Sequence, residues 1–201
     1  MTFDLAVAAL VAVGLVFTVV YTFLTGISPV PTNRRVRDTL LAALPDRLEG
    51  TIFELGSGWG TLAFPLARRY PGCPVAAYEL SPAPWAFSLL RALLSPLPNL
   101  TIHRSDFHRV SLARAVLVVC YLYPGGMARL RPKLEAELPA GALVVSNFFA
   151  VPGWTPLAVH RAADLEGSPV YLYRMPAPPG PPSRPAGERG PAPPTPGPMP
   201  S

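Results

Sequence analysis

The sequence predicts an α/β domain on a seven-stranded, mostly parallel sheet that ends in an antiparallel hairpin. Three observations predict it. Short β-prone runs alternate with helical ones between Thr51 and Leu138, the last strands follow without helices, and the first strand runs into a glycine-rich turn. Alternation of this kind builds parallel strands with crossover helices, and strands in direct succession add antiparallel neighbours.

Each element has its own signal. Val36, Leu40, Leu41, Leu44 and Leu48 recur at helical spacing, which predicts a helix ending near Pro45–Gly50. Thr51–Leu55 is short and β-prone, and Thr61–Tyr70 beyond the turn reads as helix. Val75–Glu79 is the next strand, Trp85–Leu94 the next helix, and Leu100–Arg104 the third strand. Ala115–Tyr121 is apolar throughout, as a strand covered on both faces would be. Met127–Leu138 reads as a charged surface helix; Leu143–Phe149, Leu157–Arg161 and Pro169–Arg174 read as closing strands.

The two ends read differently. Leu5–Leu24 is a run of 20 residues without a charge, and at ~1.5 Å per residue it matches the ~30 Å hydrocarbon core of a bilayer. Met1–Asp4 lacks the positive flank of a secretory signal, so an uncleaved single-pass anchor is expected. Arg34, Arg35 and Arg37 follow the run and no basic residue precedes it, which predicts a cytoplasmic-side domain on a bacterial inner membrane or an organelle membrane. From Pro176 onward 12 of the last 26 residues are proline, the composition of a disordered tail. The expected organisation is therefore an anchor over 1–26, one domain over 27–175 and a tail over 176–201. Seventeen basic against twelve acidic residues give +5, spread rather than blocked, which argues against nucleic-acid binding. Cys73 and Cys120 stand far apart with no CxxC or Cys/His cluster, so neither a disulfide scaffold nor a metal site is predicted.

The chemistry concentrates at strand ends, where ligands of open α/β sheets bind. The first strand closes on Glu54-Leu55-Gly56-Ser57-Gly58-Trp59-Gly60. Alternate glycines let the backbone turn sharply and approach a ligand closely, although a tight strand-to-helix connection alone can require them. Thr61 occupies the place of the third glycine of a dinucleotide fingerprint, which disfavours a nicotinamide oxidoreductase. Glu79 ends the second strand, where a carboxylate can accept both hydroxyls of a ribose. Asp106 follows the third strand and can accept from an adenine amino group.

Glu54–Gly60, Glu79 and Asp106 resemble the successive cofactor motifs of the Rossmann-like, seven-strand class I S-adenosylmethionine-dependent methyltransferases. Pro29-Val30-Pro31-Thr32, Tyr78–Pro82, Leu134–Pro139 and Phe148–Pro156 narrow the resemblance to membrane-anchored mitochondrial protein-lysine methyltransferases and their bacterial relatives. Those enzymes act on the c-ring protein of ATP synthase and on the adenine nucleotide translocase. The resemblance implies S-adenosylmethionine as cofactor, held by Glu54, Gly56, Ser57, Gly58, Trp59, Gly60, Glu79, Leu80, Asp106 and Phe107, and a membrane-associated protein as partner. Tyr121 and Tyr123, with Pro124 after the fourth strand, are the candidates for lining the acceptor pocket at the catalytic position. Two departures stand out. Trp59-Gly60-Thr61 replaces the family's Asp-Gly-Arg, and Cys120-Tyr121-Leu122-Tyr123-Pro124 lacks the Asn or Asp before Pro-Pro-Tyr that orients an amine in many amine methyltransferases. A lipid or quinone acceptor, or a catalytically weak scaffold, therefore stays open beside lysine. His103, His108 and His160 are possible bases, with nothing to bring any of them to the reacting atoms.

Overall fold

The computed structural model describes residues 32–177. The expected anchor, its flank at Pro29–Pro31 and most of the tail lie outside the described residues. No helix among the described residues is long and apolar enough to cross a membrane.

Helix α1 spans Arg34–Ala42, β1 Thr51–Leu55, α2 Ala63–Arg69, β2 Val75–Glu79, α3 Pro82–Leu94 and β3 Leu100–Arg104. A 3-10 turn at Phe107–Arg109 leads to β4 at Ala115–Cys120, α4 at Pro124–Glu137, β5 at Leu143–Asn147, β6 at Ala158–Arg161 and β7 at Pro169–Arg174. The strands form one sheet in the order β3-β2-β1-β4-β5-β7-β6. The first five are parallel neighbours, and β7 runs antiparallel to both β5 and β6. Strand order reverses between β1 and β4, so the carboxyl ends of those two strands flank the crevice where such sheets bind ligands.

One face of the sheet carries α1, α2 and α3. Val36, Leu40, Leu62 and Leu66 pack there on Ile52, Val75, Leu117 and Val145. The other face is covered by α4, through Met127, Leu130 and Leu134 on Phe53, Leu55, Val118 and Val144. Side-chain alternation along each strand divides the two cores.

Helix starts and stops differ from the expected bounds for identifiable reasons. α1 stops at Ala42 because Leu44 precedes Pro45, and a pre-proline residue disfavours the helical region. Leu44 nevertheless stays buried, and residues beyond it are tied to α2, with the Tyr70 hydroxyl donating to the Pro45 carbonyl at 2.6 Å. α3 begins at Pro82 and α4 at Pro124, three residues ahead of each expected start. Proline is at home in a first turn, where the backbone N–H has no helical partner. β4 and β5 end at Cys120 and Asn147, short of Tyr121 and Phe149, because the chain turns out of the sheet there into the site.

No helix joins β5 to β6. The connecting loop is instead fastened to α4: Trp154 Nε1 donates to Glu135 at 2.8 Å and Arg131 to the Pro152 carbonyl at 2.9 Å. Gly153 adopts φ of 75°, in the left-handed region, which accounts for glycine in that Pro-Gly-Trp run. The outward face of α3 is unusual for a surface helix, since Phe87, Leu90, Leu93 and Leu94 are all exposed.

Candidate functional site

The β1 turn is a backbone construction. Gly56, Gly58 and Gly60 adopt φ of 76°, 53° and 70°, all left-handed, where a side chain is strained. The N–H groups of Gly56 and Ser57 both donate to the Tyr78 carbonyl at 2.9 Å, which fastens the turn to the end of β2. Glu79 completes it. One carboxylate oxygen accepts from the Gly58 N–H and the other from the Ser81 N–H, each at 2.7 Å. From the far side the Ser88 hydroxyl donates to the Gly58 carbonyl at 2.9 Å. The glycine turn and the β2 carboxylate, 19 residues apart in sequence, are thus one hydrogen-bonded unit.

The space above this unit is open: a Cβ built on Gly58 meets no atom within 4 Å. Beneath it, Glu54 is buried and its Oε2 has no partner, as is true of the Ser57 hydroxyl. Burial, and then the charge of Glu79, push the Glu54 carboxyl well above the usual glutamate range. Two close carboxyl groups, one with an unused oxygen, form a donor set suited to a cation.

The remaining expected cofactor residues lie on the turn itself or just beyond the ends of β2 and β3. Trp59 packs edge-on against Phe87, with centroids 5.4 Å apart, and Leu80 is exposed beyond β2. Asp106 caps the 3-10 turn, its Oδ1 accepting from the His108 N–H at 2.9 Å, and Phe107 leads that turn. Trp85, expected only as the start of a helix, stands in the first turn of α3. Its indole N–H is buried without a partner, and the Arg104 guanidinium lies 5.8 Å from its ring. The readable signal is a tryptophan in the first turn after Glu79.

The three residues expected at the catalytic position separate. Tyr121 lines a cavity of about 270 Å³ together with Thr32, Asn33, Val36, Asn147, Phe148 and the β6–β7 loop from Asp164 to Ser168. Burial, and secondarily the Glu166 carboxylate, raise its hydroxyl pKa. Tyr123 is the N-cap of α4, and its ring lies over Gly125 and Gly126, where a Cβ would approach to 2.7 and 3.3 Å. Pro124 is the first residue of that helix. Neither belongs to the cavity lining. His103 stacks on Tyr78 with centroids 4.7 Å apart, His108 packs on Phe107, and His160 lies on β6; none lines the cavity.

The family model of the ANTKMT methyltransferase domain matches residues 54–158. The chain belongs to that family. It is 37% identical over 134 residues to the mouse (Mus musculus) adenine nucleotide translocase lysine N-methyltransferase, a match covering 65% of this chain and 56% of the relative. A rat (Rattus norvegicus) lysine N-methyltransferase of the ATP synthase c-ring protein is 33% identical over 128 residues, covering 63% and 58%. The chain thus spans little more than half the length of these two relatives. A protein-lysine N-methyltransferase of Saccharolobus islandicus is 27% identical over 146 residues, covering 72% of this chain and 91% of the relative. Among solved structures, an RNA methyltransferase from Salinibacter ruber in complex with S-adenosyl-L-homocysteine superposes with a TM-score of 0.66 at 28% identity, covering 73% of this chain and 94% of that one.

Proposed function

We propose that this chain is an S-adenosylmethionine-dependent methyltransferase that modifies a lysine side chain of a membrane-associated protein. The observation that carries the reading is the hydrogen-bonded unit of Glu79 with the Gly58 and Ser81 N–H groups, beneath open space at the switch point of the sheet. A carboxylate has about four acceptor sites. One hydrogen bond on each Glu79 oxygen leaves the others for a ribose diol. Gly58 admits a ligand against the backbone, and the Glu54–Glu79 pair suits the cationic ammonium and sulfonium of the cofactor. When bound, S-adenosylmethionine supplies a methyl group on a positively charged sulfur, an electrophile toward an amine.

The chain's own task is positioning. The Gly56–Gly60 turn and Glu79 fix one partner, and the mouth beside Tyr121 admits the other; in-line orientation of this kind supplies much of the acceleration. A lysine must present a neutral amine, and deprotonation from a pKa of ~10.4 at pH 7 costs about 4–5 kcal/mol. Aromatic walls and a nearby sulfonium charge lower that cost by disfavouring the ammonium form.

The lysine assignment is supported by the named activities of the relatives. Membrane association is supported by the uncharged Leu5–Leu24 run and the exposed apolar face of α3. Leu24 and Thr32 are eight residues apart, so an extended connector spans at most roughly 28 Å and would keep the cavity close to the bilayer. The basic flank after the run supports a cytoplasmic-side domain, and protease reaching it from outside intact cells would contradict that orientation.

The decisive experiment incubates the full chain with native membranes and radiolabelled S-adenosylmethionine. Label is expected on protein, in acid-stable methyl-lysine. Label only in the solvent-extracted lipid would overturn the lysine assignment, and no label together with no calorimetric binding of cofactor would overturn methyl transfer.

A further inference from the structure

The cavity beside Tyr121 contains a buried polar group that the cofactor unit leaves unused. Asn147 ends β5 and is 3% exposed, yet its Oδ1 has no hydrogen-bond partner and the residue lines the cavity. Buried amide oxygens in folded proteins are nearly always paired, so the position calls for a donor from outside the fold.

The walls say what kind of donor. Tyr121 and Phe148 are aromatic, and Phe149 supports both, stacked on Tyr121 at a centroid distance of 6.4 Å and edge-on to Phe148 at 5.0 Å. Phe148 is the only described non-glycine residue with positive φ, 67°. A bulky side chain in that region is an outlier that surrounding structure must enforce, and such outliers cluster at ligand sites. At the rim, the carboxylate of Asp164 is committed to the Ser168 N–H at 2.8 Å and the Ser168 hydroxyl at 2.6 Å. These bonds close the β6–β7 loop and leave Glu166 as the cavity carboxylate with no hydrogen bond or ion pair among the described residues. Two cations reach this loop through its carbonyls and not through Glu166: Arg35 donates to Ala163 at 2.7 Å and Arg161 to Gly167 at 3.2 Å. A buried acceptor, aromatic sides and a rim carboxylate without an ion-pair partner together match an ammonium on an apolar stem, which brings three donors and a charge. The volume of about 270 Å³ lies at the small end of ligand pockets.

We propose that this cavity binds the primary ammonium of the acceptor side chain, with Asn147 Oδ1 as its hydrogen-bond acceptor and Glu166 as its counter-charge. Identification of that acceptor as lysine rests on the function proposed above; the ammonium site itself does not. Glu166 supplies from the β6–β7 loop the carboxylate that Cys120–Pro124 lacks. Because a carboxylate favours the charged amine, Glu166 is a positioning residue: it captures and orients the acceptor, and its loss raises KM more than it lowers kcat.

The test is a protein NMR titration of the full chain in detergent with n-butylammonium, a lysine-stem mimic, against 1-butanol as neutral isostere. Butylammonium is expected to shift the Asn147 side-chain amide and to bind about tenfold more tightly than butanol. Glu166→Gln should weaken butylammonium about three- to fivefold and leave butanol unchanged, and Glu166→Asp should restore part of the loss. Equal affinity for the two probes, or indifference of butylammonium to Glu166→Gln, overturns the proposal. The same samples are titrated with S-adenosylhomocysteine by calorimetry. Absence of cofactor binding beside a Glu166-dependent ammonium site would overturn the methyl-transfer reading and leave this one standing.

Discussion

The two halves of the sheet's carboxyl edge are built on opposite plans. On the β1–β2 side the backbone of the turn is locked: both Glu79 oxygens receive backbone N–H groups, and Gly56, Ser57 and Gly58 are bonded to the second strand, while Glu54 Oε2 and the Ser57 hydroxyl stay unpartnered beneath it. On the β4–β5–β7 side a buried amide oxygen is left unpaired and a phenylalanine is held at positive φ. A half whose backbone is locked without ligand is preorganised for a partner that is always the same. A half with an open acceptor awaits a partner whose identity distinguishes one enzyme from its relatives. The contrast also separates affinity for cofactor from choice of acceptor, and each variant below is aimed at one half with the other as its control.

The largest effect is expected at Gly58. An arginine there must adopt φ near +53° and project into the open space over the turn. Gly58→Arg should weaken S-adenosylhomocysteine at least about 100-fold by calorimetry, and Glu79→Ala about tenfold or more, as loss of a charged hydrogen-bond acceptor implies. Butylammonium binding should survive both. Its loss would mean that the halves are a single unit and that the comparison is wrong.

Glu54 carries the next effect. The folded chain holds its carboxyl proton beyond the ordinary value of 4.5, whereas the unfolded chain releases it near that value. The folded state therefore binds the extra proton in this window, and Glu54's contribution to stability declines as pH rises from about 4.5 through the raised folded pKa. Glu54→Gln removes that decline. At pH 8 the variant should melt a few degrees higher than the parent, given about 2–4 °C per kcal/mol at this chain length, and at pH 4 the two should converge. A variant that is less stable at pH 8 would show that Glu54 is held ionised. Saturating S-adenosylmethionine should narrow the difference, since a cation beside Glu54 favours its charged form.

How much of this is readable from the sequence follows the same division. The sheet is legible because buried parallel strands such as Ala115–Cys120 are apolar runs, and Leu100–Arg104 and Pro169–Arg174 have the bounds the sequence predicts. The turn and Glu79 are legible as a pair because they are local: a turn and the residue ending the next strand lie within Glu54–Glu79. The amine cavity is not, because Thr32, Tyr121, Asn147 and Glu166 meet only once β7 has folded back antiparallel on β5. Tyr123 groups with Tyr121 on proximity alone; the helix that starts at Pro124 turns its ring onto Gly125.

Phe148 tests whether strain belongs to the open half. Phe148→Gly relieves a left-handed residue worth about 1–2 kcal/mol and removes a ring packed on Phe149, so thermal stability should move by no more than about 1 kcal/mol in either direction. Both butylammonium and butanol should weaken about threefold, because an aromatic wall serves charged and neutral probes alike. A large stability gain with unchanged binding would make the strained backbone an accident of the loop.

The smallest expected effect sharpens the comparison most. Glu166 is exposed at the rim, whereas Asn147 is sealed beneath it. Raising salt from about 0.05 to 0.5 M shortens the screening length from roughly 14 to 4 Å, which attenuates an exposed charge pair and barely touches a buried hydrogen bond. Butylammonium affinity of the parent should therefore fall about two- to threefold, while Glu166→Gln, already without the rim charge, stays flat and keeps the residual affinity that Asn147 provides. The difference between the two salt slopes measures the rim, and the high-salt limit measures the buried acceptor. Identical slopes would assign recognition to Asn147 and the aromatic walls, leaving the β6–β7 loop a structural closure.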